Sequence, residues 1–132
     1  MAYEIIFLIG RLLLGGFFLL MSMNHFTQTK MLTDYATSKK VPYPQLAVIF
    51  AGLLLVIGAV TFILGVYPQI GILAITLFFI PTTLMMHDFW NVPKEQKMQE
   101  KINFLKNMAL EGAVVMLLII PTPWPLSISL LF

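Results

Sequence analysis

"PQLAVIFAGLLLVIGAVTFILGVYPQIGILAITLFFIPTTLMM", residues 44–86, carries no Asp, Glu, Lys or Arg. A helix rises about 1.5 Å per residue, so crossing a hydrocarbon core of about 30 Å takes about 20 mostly apolar residues. The stretch opens two such lengths, 44–66 and 69–90, joined through "GVYPQ" at 65–69, a Gly/Pro turn that makes them an antiparallel hairpin. A soluble helical protein would need a polar face on each helix, and these have none. The pair reads as a membrane hairpin.

Working outward, two more segments pass the same ruler, residues 3–26 before the hairpin and 102–120 after it. Hydrophobic residues make up 59% of the 132 and charged residues 11%, with a mean hydropathy of +0.90. That is far from an ordinary soluble domain. The chain is expected to be a single all-α membrane domain over 1–132, a bundle of four transmembrane helices lying in the lipid bilayer. A net charge of +2 on scattered lysines gives no nucleic-acid surface. There are no cysteines, which excludes disulfides, thiolate metal sites and dithiol redox chemistry within the chain. The first span lacks a basic start and a small-residue cleavage site, so it is expected to stay in the mature protein.

Four crossings place the loop after the first span and the loop after the third on one side. These loops carry Lys30, Lys39, Lys40, Lys94, Lys97 and Lys101, while no Lys or Arg lies near the opposite surface. By the positive-inside rule the Lys-bearing loops are cytoplasmic and both termini are extracytoplasmic. Within the first loop, Leu32, Tyr35 and Ala36 share a helical face, so residues 30–42 are expected along the interface as a short amphipathic piece. Pro121, Pro123 and Pro125 forbid regular helix in the tail 121–132, whose Trp124 favours the outer membrane boundary.

Polar residues inside the spans need partners. Asn103, Asn107 and Glu111 follow at intervals of four and form one stripe that must face protein. Glu111 lies about 14 Å inside the Lys-side boundary and Arg11 about 10–12 Å inside the opposite one, so in a core of about 30 Å two long side chains could meet. A lone ionised residue at such depth costs at least about 2.5–3.5 kcal/mol, and an Arg11–Glu111 ion pair between spans one and four would remove much of that. Arg11, Gly15, Phe18, Ser22 and His25 line the inward face of span one. Thr76, Thr83 and His87 share a face of span three, where Pro81 should kink the helix. Asn24, His25, His87, Asp88, Asn103 and Asn107 then form a polar mouth at the Lys-bearing end, a candidate ligand pocket. A bis-histidine haem has only the shared depth of His25 and His87 in its favour. His25, His87 and Asp88 make no recognisable three-ligand centre, so no metal is assigned. A quinone headgroup, bound without a covalent link, needs only hydrogen-bonding groups beside an apolar cleft.

Arg11 with Gly15, "YATSKKVPYP" at 35–44, "AGLLLVIG" at 51–58, "HDFW" at 87–90 and "NFLKNMAL" at 103–110 together resemble the DoxX family of four-span membrane proteins. The resemblance covers nearly the whole chain. It implies a four-helix bundle in the prokaryotic inner membrane, related to the DoxD-type subunit of thiosulfate:quinone oxidoreductase. Two positions depart from the family pattern: Leu55 stands where a Glu is usual, with Glu111 appearing in span four instead, and Lys40 replaces a Gly before Val-Pro. The expectation is a membrane subunit of a redox system that binds a quinone or docks an oxidoreductase partner. Without cysteine, flavin motif or nicotinamide motif it would hardly be catalytic alone. The alternatives are a small-solute transporter or channel gated by Arg11 and Glu111, with homo-oligomerisation to enclose a path, and an assembly scaffold without a small-molecule site.

Overall fold

The computed structural model describes residues 1–128. Every regular element among its described residues is a helix, with no strand. Helix α1 spans Ala2–Thr27, α2 Thr29–Ser38, α3 Pro44–Leu64, α4 Pro68–Met86 and α5 Lys94–Met116, and short 3-10 turns follow α4 and α5. Four of these segments are long and apolar enough to cross a membrane. Helix α2 is the short fifth, held by Lys30 to Asp34 along its exposed side and by buried Ala36 on the other.

Local chemistry sets the boundaries. Helices α3 and α4 each begin with proline at the first turn, where its fixed φ suits a helix and its missing N–H costs nothing. Helix α3 ends at Gly65, whose φ of 75° lies in the left-handed region and whose N–H returns to the Thr61 carbonyl at 2.8 Å. Helix α5 starts two turns before the apolar run at 102, because "KEQKMQEK" at 94–101 is made of strong helix formers. Helix α4 instead stops at Met86, short of the expected 90, and His87 and Asp88 turn the chain into the next 3-10 segment.

Packing runs α1 on α3, α3 on α4 and α4 on α5, with α2 laid against α3. Helices α1 and α5 share no extensive contact. Phe18, Leu55, Phe62, Ile75, Phe79 and Val114 form the apolar centre, where Phe18 touches both Phe62 and Phe79 edgewise or tilted at about 6 Å. The buried residues of α1 are Arg11, Gly15, Phe18 and Ser22, the stripe expected from their spacing.

The tail departs from expectation. Trp124 is fully buried, not spread along the membrane boundary; it stands against Phe7 at 5.2 Å and Phe62 at 5.8 Å between ring centroids. Proline-rich backbone cannot satisfy itself by helix, so it folds back on the bundle and spends its carbonyls on a buried cation. Residues 129–132 of the expected flap lie outside the described residues.

Candidate functional site

Arg11 and Glu111 are not joined. Arg11, 5% exposed, donates through Nη1 to the Pro125 carbonyl at 2.8 Å and through Nη2 to the carbonyls of Leu126 at 3.1 Å and Ile63 at 3.3 Å. Ile63 lies in the last turn of α3, where carbonyls lack helical donors and the dipole favours a cation. Gly65 completes the seat: a Cβ there would stand 2.6 Å from Arg11 Nη1, so any side chain would displace the guanidinium. Glu111, 8% exposed, accepts a 2.6 Å bond from the Thr76 hydroxyl, and its other oxygen has no partner among the described residues. The physical reason for the correction is helix order. Similar depth brings two side chains together only if their helices are neighbours, and α3 and α4 separate α1 from α5.

At the Lys-bearing end a cavity of about 520 Å³ reaches into the bundle. All five helices contribute: Phe18, Met21 and His25 from α1, Tyr35 from α2, Ala51 and Leu55 from α3, Phe78 and Pro81 from α4, Asn107 and Leu110 from α5. Of the six residues expected at the mouth, His25, His87 and Asn107 line it. The other three do not. Asn24 is exposed, Asn103 pairs with Gln99 at 3.2 Å, and Asp88 is bound by Lys39 at 2.6 Å. A helix turns about 100° per residue, so neighbours such as Asn24 and His25 at one level look in different directions.

Both histidines commit the same ring atom. His25 Nδ1 lies 2.9 Å from the Met21 carbonyl, which can only accept, so Nδ1 carries the hydrogen. His87 Nδ1 lies 2.8 Å from Glu100 Oε2. No hydrogen bond engages either Nε2 among the described residues, and both residues line the cavity. His25 also stands edgewise on Phe78 at 5.8 Å, which fixes its ring plane. Neither ring forms part of a cluster of three His, Cys, Asp or Glu suited to a metal among the described residues.

Above the cavity, α2 is tied down by polar contacts. The Tyr35 hydroxyl donates to the Met86 carbonyl at 3.0 Å and reaches Glu100 Oε1 at 3.4 Å, while the Lys39–Asp88 ion pair is largely shielded from solvent. Burial first, and then the negative charge of Glu100, push the Tyr35 hydroxyl up to about 12. Glu100 was missing from the sequence-derived site. Extending the 103, 107, 111 stripe one turn toward the start of α5 reaches it, since 100 precedes 103 by three.

A sequence model of the family described as DoxX matches residues 6–88, which spans α1 to α4. Inner membrane protein YphA of Escherichia coli (strain K12) is 25% identical over 118 residues, covering 89% of this chain and 84% of that protein. No solved structure matches the chain. The four membrane-length helices and the family match agree: this chain belongs to the DoxX family.

Proposed function

We propose that this protein binds the headgroup of a membrane quinone, as the membrane subunit of a redox system whose electron-transfer chemistry belongs to a partner. One observation carries the reading: a largely apolar cavity at the interfacial end of a membrane bundle is lined by Asn107 and by two histidines, His25 and His87, each bonded through Nδ1. Its volume of about 520 Å³ falls in the range of small-molecule sites and suits a ring with the first part of an isoprenoid chain. A neutral His25 offers an acceptor for a quinol hydroxyl. Asn107 and, when protonated, His87 offer donors to a quinone carbonyl. Apolar residues at the rim, Phe17, Phe50 and Leu77, are exposed on the outside of the bundle, which gives an isoprenoid tail a way out into lipid.

The relative named as an inner membrane protein supports the same location here, with the Lys-bearing loops cytoplasmic and both termini outside. A transport gate made of Arg11 and Glu111 has lost its geometric basis. The test is thermal unfolding of the purified protein with short-chain menaquinone and ubiquinone analogues. At a hundred times its dissociation constant a ligand adds about 2.7 kcal/mol. Stabilisation by either analogue in the native chain, lost when Ala51→Phe fills the cavity, is expected. No shift with either, or an equal shift in the filled variant, refutes the assignment.

A further inference from the structure

Thr76 of α4 precedes His87, the residue that caps that helix, by eleven positions, and Glu100 precedes Glu111 on α5 by eleven. The His87–Glu100 contact and the Thr76–Glu111 hydrogen bond therefore lie on one antiparallel seam, about three turns or about 16 Å apart. Between them on the same face of α4 is Thr83, fully buried, with a hydroxyl that has no partner among the described residues. Unsatisfied buried oxygens at spaced intervals are an uncommon arrangement for a membrane interior, where each carries a cost.

Glu111 is the deepest of these groups. Among the described residues the Thr76 hydroxyl is the one donor bonded to its carboxyl, and it serves Oε1 alone. At the C-cap of α4 the titratable group facing α5 is His87, held by Glu100 at the far end of the seam. Helix α3 carries no charged residue, the Arg11 guanidinium of α1 is bound by carbonyls, and Lys106 of α5 is on the exposed side. No cation lies within ion-pair distance of Glu111 among the described residues. A proton on Oε2 would turn an orphaned acceptor into a donor and remove the charge from the low-dielectric interior.

We infer that Glu111 is a proton-binding site inside the membrane, loaded from the Lys-bearing end along the α4–α5 seam by way of Thr83 and water. The proton leaves water at that end and forms an O–H bond at Glu111 Oε2, while Thr76 keeps its hydrogen bond to Oε1. The site is independent of what fills the cavity, although Asn107 stands one turn from it on the same helix.

Infrared spectroscopy of the protein in lipid vesicles tests this. At neutral pH the native chain should show the carbonyl stretch of a protonated carboxyl, shifted by deuterium oxide and missing in Glu111→Gln. Glu111→Asp, which keeps a carboxyl, should restore the band at a shifted frequency, so loss of folding is not mistaken for loss of the site. Thr83→Val should keep the band and slow its deuterium exchange about tenfold, the effect of about 1.4 kcal/mol on a barrier. Absence of the band in the native chain, or its persistence in Glu111→Gln, overturns the site. An exchange rate unchanged by Thr83→Val overturns the route.

Discussion

Trp124→Ala removes the side chain that clamps the tail to the bundle. Trp124 is fully buried between Phe7 and Phe62, and the next two carbonyls along the chain are those that hold Arg11. Truncating a buried Trp costs about 3–5 kcal/mol from lost contacts and the remaining cavity. For a chain of this size that corresponds to a fall of about 10–20 °C in melting temperature, measured in detergent. The clamp and the cation act together, because a tail that swings away also leaves the guanidinium without two of its three acceptors. Arg11→Gln and Trp124→Ala should therefore be non-additive, with a coupling of about 0.5–3 kcal/mol in a double-mutant cycle. A loss below about 1 kcal/mol for Trp124→Ala, or additivity within about 0.5 kcal/mol, would refute the clamp.

Helices α1 and α3 pack closely at Gly15, where a Cβ would stand 2.7 Å from Ile63 Cγ1 and 3.1 Å from the Ala59 carbonyl; Gly15→Ala should cost about 1–3 kcal/mol by overpacking. Gly16→Ala, with open space around it, should not, and equal melting temperatures for the two variants would contradict the packing described. Lys40 has a φ of 59°, so Lys40→Gly should gain about 1 kcal/mol by relieving a left-handed residue; no rise in melting temperature would count against that strain. The Tyr35 proton is held more tightly in the folded chain, so its contribution to stability is present below about pH 10 and lost as pH rises toward about 12. Ultraviolet titration of the native chain minus Tyr35→Phe should show that late transition, and one near the ordinary tyrosine range would exclude it. Because the chain has no cysteine, Lys97→Cys and Thr122→Cys can each be labelled cleanly in intact cells. An impermeant maleimide should reach only Thr122→Cys, and the reverse pattern would invert the topology.

The spans were legible in the sequence because membrane length and apolarity are properties of a segment by itself, so all four appear as helices, three of them within about four residues of their expected limits and the fourth beginning eight residues early, at Lys94. The inward face of α1 was equally legible, since Arg11, Gly15, Phe18 and Ser22 are fixed by helical spacing alone. The partners of the buried charges were not, because they depend on which helices are neighbours, and hydropathy says nothing of that. Carbonyls as the seat of Arg11 were harder still to foresee: backbone oxygens belong to every residue, and only the fold reveals which are left over. Of the six polar residues expected at the mouth, His25, His87 and Asn107 line the cavity, while Asn24, Asp88 and Asn103 do not, because depth along a helix leaves the direction of each side chain open.

The seat of Arg11 imposes an order on biogenesis. Helix α1 is synthesised well before its partners: the oxygens of Pro125 and Leu126 lie 114 and 115 residues further along the chain than Arg11. Until they emerge, a strong base sits in the nascent bundle with only the Ile63 carbonyl of α3 to meet it. Helix α1 is thus completed by a stretch translated more than a hundred residues after it, and a ribosome halted before residue 125 would leave an insertion intermediate open to quality-control proteases.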